Sequence, residues 1–101
     1  MKYLLQIDFP HEGPFNEEFS NAFKELAQDI ANENGLIWKI WTENEQNKEA
    51  GGIYLFDNLD DANRYLEKHT QRLKSFGYTD LRAKIFNVND ALSSITKAKL
   101  N

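Results

Sequence analysis

The sequence predicts an α+β fold: a ferredoxin-like β-α-β-β-α-β sandwich with a four-stranded antiparallel sheet and a short C-terminal helix. Two patterns support this prediction. Four segments alternate apolar and polar residues with a period of two, as half-buried strands do. Two longer segments between them repeat apolar residues every three or four positions, as amphipathic helices do. Both helices are then expected on one face of the sheet, in a single domain that spans residues 1–101.

The second strand is apolar on both faces. Because side chains alternate along a strand, Lys39 and Trp41 share one face and Trp38 lies on the other. Both faces are therefore expected to be covered. Gly51-Gly52 opens the third strand and is interpreted as a bulge or loop hinge, not as a phosphate-binding loop. The four predicted strands are Lys2–Phe9, Leu36–Glu43, Gly51–Phe56 and Leu81–Val88.

The two main helices have recognisable ends. Asn16 is expected to cap the first helix, which Gly35 terminates in a left-handed conformation. Asn58 caps the second helix and Gly77 ends it, and the tail helix is capped within Asn89–Asp90. The apolar stripe of the first helix is Phe19, Phe23, Leu26 and Ile30. That of the second helix is Ala62, Tyr65, Leu66, His69, Leu73 and Phe76.

Composition excludes several classes of function. The formal charge of −4 makes nucleic acid and anionic lipid poor partners. The absence of cysteine excludes disulfides, thiolate metal sites and thiol nucleophiles. No apolar run approaches the ~18 residues of a membrane span, and Gln6 and Asp8 interrupt the apolar N-terminus, so no signal segment is expected. The expectation is a soluble cytoplasmic protein.

His69 is the sharpest candidate for chemistry. It lies one turn after Tyr65 on the stripe that should face the sheet. Since imidazole exchanges a proton near neutral pH, a histidine in a pocket is a natural general base. The alternatives are a buried histidine that is hydrogen-bonded to a carbonyl or to Tyr65, and one that contacts a ligand without catalysis. Arg72 or Lys39 is a weaker candidate, as a partner for an anionic substrate group.

Aromatic side chains provide enough surface to line a pocket for a flat apolar ligand. The alternative is that they are core or dimer contacts, which is common at strand spacing. One sheet face is left bare by helices on the other, and an open apolar face usually marks an interface. We therefore expect a homodimer in which two sheets face each other and form a barrel. The candidate ligand-binding residues are Phe9, Trp38, Trp41, Tyr54, Tyr65 and Phe86.

Several stretches resemble the YdhR-type monooxygenase family, small bacterial proteins of the dimeric α+β barrel superfamily. The similarity extends to Ala98-Lys99-Leu100 and so spans nearly the whole chain. The Pro10-His11-Glu12 loop departs from the family pattern, which leaves His11 without an assigned role. The matching stretches are Gly13-Pro14-Phe15, Trp38-Lys39-x-Trp41-Thr42-Glu43, Glu49-Ala50-Gly51-Gly52-Ile53-Tyr54-Leu55-Phe56, Tyr65-Leu66-Glu67-Lys68-His69-Thr70 and Ala83-Lys84-x-Phe86-x-Val88-Asn89.

The resemblance implies a homodimer through sheet faces and a cofactor-independent monooxygenase. Its substrates would be a phenol- or quinol-like aromatic molecule and molecular oxygen, with no flavin, haem or metal. In that role His69 would be the base, and Tyr65 would orient His69 or hydrogen-bond the substrate. Trp38 and Tyr54 would hold the aromatic ring. Two other hypotheses remain: a small-molecule binding protein without turnover, and a haem-binding protein with His69 as axial ligand.

Overall fold

The computed structural model describes all 101 residues, and its element order is the predicted one. The strands form one four-stranded sheet in the order β2-β3-β1-β4, with every neighbouring pair antiparallel. This is the ferredoxin-like arrangement. None of the helices is long and apolar enough to cross a membrane. The elements are β1 (Tyr3–Pro10), α1 (Asn16–Ile30), β2 (Leu36–Asn44), β3 (Glu49–Phe56), α2 (Leu59–Ser75), β4 (Arg82–Asn87) and α3 (Asp90–Ile95).

Both long helices pack on the same face of the sheet. Trp41 on β2 contacts Phe19 of α1, and Tyr54 on β3 contacts Tyr65 of α2. The register places Trp41 opposite Gly52 and Tyr54 opposite Leu5, so these residues share one face. The hydrophobic core lies in this layer. Its buried members are Leu5, Ile7, Phe9, Phe19, Ile30, Ala50, Tyr54, Phe56, Ala62, Tyr65 and Leu73.

The opposite sheet face has an apolar end and a polar end. At the polar end, Asp8 is paired with Arg82 across the strands. A single row of side chains crosses all four strands at the apolar end: Trp38, Leu55, Leu4 and Phe86. The C-terminal tail reaches this row, because the indole Nε1 of Trp38 donates a hydrogen bond of 2.8 Å to the Lys99 carbonyl. We call this surface the open face.

The ends of α1 differ from the prediction. The N-cap position is Phe15, which makes no side-chain cap, and Asn16 is the first helical residue. The backbone N–H of Asn16 donates instead to Oε1 of Glu43 at 2.7 Å, so a carboxylate from β2 satisfies this helix terminus. The helix ends at Ile30, and a turn precedes Gly35, which has the expected positive φ of 80°. A local sequence pattern cannot predict this contact, because Glu43 lies on a strand that is distant in sequence from the start of the helix.

The ends of α2 are close to the prediction. The Asn58 side chain accepts a hydrogen bond of 2.8 Å from the Asp61 backbone N–H, and Gly77 has a φ of 97° just past the helix. Four residues of the predicted stripe are buried, namely Ala62, Tyr65, His69 and Leu73. Of the other two, Leu66 is half-buried against the core, and Phe76 is 52 % exposed because the helix has ended at Ser75.

Candidate functional site

Five polar side chains meet between the sheet and α2. Lys39 and Tyr54 are direct cross-strand partners on β2 and β3. Tyr65, His69 and Arg72 lie at i, i+4 and i+7 on α2, so they project from one face of the helix toward these partners. The Tyr65 and His69 rings are stacked with centroids 5.0 Å apart, and the Tyr54 and Tyr65 centroids are also 5.0 Å apart. We call these five residues the polar cluster.

Arg72 holds His69 in one tautomer. The arginine Nε and Nη2 lie 3.2 and 3.0 Å from Nδ1 of His69, and Nη1 pairs with Asp29 at 2.9 Å. Because a guanidinium only donates hydrogen bonds, Nδ1 must accept, and the ring proton is on Nε2. Burial, followed by the charges of Lys39 and Arg72, lowers the pKa of His69 to about 3. His69 is therefore neutral at physiological pH and presents an N–H donor.

Lys39 is a cation without a carboxylate partner. Its Nζ lies 3.3 Å from the centroid of the Trp41 ring and 4.7 Å from that of Tyr54. All four ion pairs of the molecule involve other residues. Burial, followed by the positive charge of Arg72, lowers the pKa of Lys39 to about 7. Gly52 makes room for this side chain, since a Cβ there would lie 2.6 Å from Cε of Lys39.

The two tyrosines of the cluster are neutral phenols. Tyr65 Oη is buried and makes no hydrogen bond of good geometry, although the Tyr54 and Arg72 side chains approach it closely enough to influence its pKa as hydrogen-bond partners. Burial raises the pKa of Tyr65 to about 12. Burial and the neighbouring Tyr65 raise the pKa of Tyr54 well above its ordinary value. The Tyr65 hydroxyl is therefore the poorly satisfied polar group of the cluster.

A groove between α1 and β2 lies beside the polar cluster, and Trp41 divides it into two halves. One half has a volume of about 300 Å³, the other about 200 Å³. Lys39 lines the smaller half and also an inner cavity of about 20 Å³, which it shares with His69 and Tyr54. The larger half is lined by Phe19, Ser20, Phe23, Lys24, Ala27, Trp41 and Glu43. The smaller is lined by Ala27, Ile30, Ala31, Leu36, Ile37, Trp38, Lys39 and Trp41. We call both halves together the α1–β2 groove.

His11, which the sequence left without a role, belongs to a separate structural cluster. It is 2 % exposed, and its Nε2 lies 2.7 Å from the Pro14 carbonyl, which can only accept. Nδ1 therefore accepts a hydrogen bond of 2.8 Å from Tyr78 Oη. The Phe15 and Phe19 rings pack around the imidazole with centroids 5.0 and 5.1 Å away. Both ring nitrogens are occupied, so His11 fixes the loop after β1.

The predicted ligand-binding residues are divided between the two sheet faces. Phe9, Trp41, Tyr54, Tyr65 and His69 lie in the helix-covered layer. In contrast, Trp38 projects from the open face toward the tail, and Phe86 lies on that face beside Leu4. The sequence analysis did not identify Phe19 and Phe23 as groove walls. Lys39, a weaker candidate from the sequence, lies on the Trp41 ring and lines the inner cavity and the smaller half of the groove.

Comparison with solved structures identifies the class of fold. A variant of SnoaB, a cofactor-independent oxygenase from Streptomyces nogalater, is 17% identical, with a TM-score of 0.62 over 87% of this chain and 93% of that one. Protein YJCS is 19% identical, with a TM-score of 0.62 over 87% and 98%. A "putative antibiotic biosynthesis monooxygenase" from Deinococcus radiodurans is 18% identical, with a TM-score of 0.55 over 88% and 93%. No curated protein matches the chain.

The fold is thus that of the antibiotic biosynthesis monooxygenases, with a polar cluster enclosed between the sheet and α2. The sequence shows to which family the chain belongs. The family model described as "Putative mono-oxygenase ydhR" matches residues 4–99, and the chain belongs to this family.

Proposed function

We propose that the protein is a cofactor-independent monooxygenase that acts on a phenol- or quinol-like aromatic molecule. The observation that best supports this proposal is the polar cluster, in which an amine without an ion-pair partner, an imidazole N–H and an unpartnered phenol converge beside an aromatic groove. Such a constellation suits a substrate that becomes an anion, because donors and a cation stabilise developing negative charge in a site shielded from water.

The proposed reaction needs only the substrate, oxygen and a base. Removal of a proton from an anthrone-type molecule leaves a carbanion that is conjugated with the ring oxygen. The carbanion donates electrons to O₂ and forms a carbon–oxygen bond, and the peroxide takes up the proton. Loss of the second hydrogen of that carbon together with cleavage of the O–O bond releases water and leaves a quinone carbonyl. One oxygen atom is thus incorporated and the other becomes water.

The α1–β2 groove is the proposed binding site of the ring. Its larger half, about 300 Å³, is at the small end of the ~300–1,000 Å³ typical of small-molecule pockets, which favours a molecule of two or three fused rings. Trp41, Phe19 and Phe23 would stack against it, with Tyr54 and Phe9 behind them. Phe86 is not part of this proposal, because it lies on the open face. Trp38 donates a hydrogen bond to the tail, but it also lines the smaller half of the groove and would contact a ligand bound there.

His69 and Tyr65 are the proposed catalytic residues. Arg72 occupies Nδ1 of His69, which favours a role for the imidazole as a donor to the substrate oxygen. The assignment of His69 as base stays a prediction, and two variants separate the two roles. His69→Ala should reduce the rate by about 10²-fold or more in either case. His69→Gln retains an N–H donor and should recover part of that loss only if His69 is a donor.

Oxygen uptake tests the proposed activity. Metal-stripped protein is mixed with a panel of anthrones and naphthols, and uptake is compared with uncatalysed autoxidation of the same substrates. We expect uptake above autoxidation that falls sharply in His69→Ala. Uptake equal to autoxidation across the panel, together with quenching of tryptophan fluorescence by the same molecules, would instead identify a binding protein without turnover. The cavity of about 20 Å³ beside His69 argues against axial ligation of haem.

We further propose that two chains associate through their open faces. The row formed by Trp38, Leu55, Leu4 and Phe86 is apolar across the whole sheet, with Leu55 buried, Leu4 and Trp38 half-buried and Phe86 exposed. Next to it, Ile40 is 54 % exposed, and Phe86 within the row is 46 % exposed. Exposed apolar side chains that form one continuous area favour burial against a partner, and a second copy offers the same surface.

A further inference from the structure

We propose that Lys39 is the general base of the proposed reaction. This inference rests on the proposed function, whose sequence-based candidate for the base is His69. A base must reach the proton it removes, must be free of a competing partner, and must be unprotonated at working pH. The position of Lys39 lets it reach a ligand and leaves it without a competing partner. Its surroundings make it unprotonated in part at working pH.

The position of Lys39 is set by the sheet and by a missing side chain. It stands on the helix-covered face of β2 directly opposite Tyr54. The next position along β3 toward the loop on this face is Gly52, and the amine arm fills the space that a Cβ would occupy there. The end of the arm rests on the Trp41 ring and lines both the inner cavity and the smaller half of the α1–β2 groove. A ligand against Trp41 in the smaller half of the groove would therefore meet the amine.

Lys39 is also free of ion pairing, whereas the other cation of the cluster is not. Arg72 is bound to Asp29 and to His69 Nδ1. No carboxylate forms an ion pair with Lys39, so its amine is available to exchange a proton with a ligand. His69 fits less well as a base, because its accepting nitrogen is already hydrogen-bonded to Arg72.

The groups that face Lys39 lower its basicity into a useful range. Arg72 and His69 face it from α2, Tyr54 faces it from β3, and α1 contributes only apolar side chains to the cavities that the amine lines. Removal from solvent and the guanidinium charge both disfavour the ammonium form, and a pKa of about 7 results. The free amine is then a large fraction of the population at neutral pH, and that fraction increases as pH rises through 7.

The proton that the base removes is returned within the site. The neutral amine takes one proton from the carbon acid or phenol and becomes an ammonium ion, while the substrate becomes an anion. The two charges then form an ion pair that the free protein lacks, with the N–H of His69 and the phenol of Tyr65 as further donors. After the anion has reacted with O₂, the ammonium returns the proton to the peroxide oxygen. The base is regenerated without an external reductant.

The first test measures the basicity of Lys39 in the free protein. Lysine ¹³Cε and ¹⁵Nζ shifts are followed against pH, and the signal missing from Lys39→Met assigns the resonance. We expect a midpoint of about 7. A midpoint close to the ordinary lysine value of ~10.4 would overturn the proposal, whatever the substrate is.

The second test detects the substrate anion without oxygen. Anthrone or 1-naphthol is mixed with protein under argon, and the longer-wavelength absorbance of the anion is recorded as a function of pH. Wild-type protein should form the anion with a midpoint near pH 7. Lys39→Met should lose it and should lower oxygen uptake by about 10²–10⁴-fold. Lys39→Arg should be equally defective, since guanidinium retains the charge but cannot accept the proton.

Matched outcomes separate this inference from the proposed function. Lys74→Met removes an exposed lysine at the end of α2 and should behave as wild type. An anion that forms without oxygen uptake would leave Lys39 as a base and overturn the oxygenase proposal. Oxygen uptake that survives in Lys39→Met or Lys39→Arg would leave the oxygenase and overturn Lys39 as its base.

Discussion

At the scale of single residues, the protein gives the hydroxyls of half-buried Tyr78 and buried Tyr65 opposite environments. Tyr78 Oη donates to Nδ1 of buried His11 at 2.8 Å. Tyr65 Oη is enclosed without a hydrogen bond of good geometry. A buried polar group without a partner costs about 1–3 kcal/mol, whereas a satisfied one contributes modestly to stability. The native state thus tolerates an unfavourable hydroxyl at Tyr65, which is a feature expected of a binding site.

The two tyrosines provide a matched pair of stability predictions. Tyr78→Phe leaves the His11 acceptor buried without a donor, and we expect the free energy of unfolding to fall by about 1–3 kcal/mol. Tyr65→Phe removes a hydroxyl that has no partner, so the free energy of unfolding should be unchanged or should rise. Urea unfolding followed by tryptophan fluorescence measures both variants under the same conditions. A loss of stability in Tyr65→Phe equal to that in Tyr78→Phe would contradict this assignment.

At the scale of elements, strand periodicity was sufficient to predict the fold and the division of the two tryptophans between faces. The alternation along β2 correctly separated Trp38 from Lys39 and Trp41. Much of the site could not be predicted, because it depends on contacts between elements that are distant in sequence. Arg72 reaches His69 within α2 but pairs with Asp29 of α1, and the Glu43 contact that replaces a helix cap comes from β2.

For the Gly51-Gly52 pair, the sequence pattern alone did not predict the structural role of either glycine. The sequence favoured a bulge or hinge, but both glycines lie in regular pairing between β1 and β3. At Gly51 a Cβ would lie 2.0 Å from the backbone oxygen of Ile7, so this glycine permits the close approach of two strands. At Gly52 the nearest atom is Cε of Lys39, at 2.6 Å. Only the register of the sheet reveals these two different roles.

Alanine substitution should therefore have different effects at the two glycines. Gly51→Ala must push the backbones of two central strands apart, and we expect a loss of at least ~3 kcal/mol in the free energy of unfolding. Gly52→Ala meets the flexible end of a side chain, so the loss should be about 1 kcal/mol. Its main effect should be displacement of Lys39, and oxygen uptake should fall toward that of Lys39→Met.

Urea unfolding and the oxygen-uptake assay, applied to both glycine variants, check this contrast. Circular dichroism confirms beforehand that each variant retains its secondary structure. A Gly52→Ala protein that keeps full oxygen uptake would show that Lys39 does not need the space beside Gly52 for its function. A Gly51→Ala protein as stable as wild type would show that the two strands can relax without cost.

At the scale of the whole molecule, the two faces of the sheet differ in what covers them. The helix-covered face encloses the polar cluster and the α1–β2 groove. The open face has an apolar row at one end and charged residues at the other, where Arg82 pairs with Glu49. Leu55 in the row is fully buried, and Trp38 beside it holds the tail through the Lys99 carbonyl. The tail therefore borders the surface that a second copy is proposed to cover.

A charge placed on the open face should dissociate the proposed dimer. Wild-type protein is expected at twice the chain mass of 11.8 kDa in light scattering coupled to size exclusion. Ile40→Glu puts a carboxylate on the interface, and its desolvation costs several kcal/mol when no cation pairs with it, so a mass of one chain is expected.

Phe76→Glu is the matched control, because Phe76 has a similar exposure, 52 % against 54 %, but lies at the end of α2. It should remain dimeric. Wild-type protein with the mass of one chain at micromolar concentration, or equal dissociation by both variants, would contradict association through the open face.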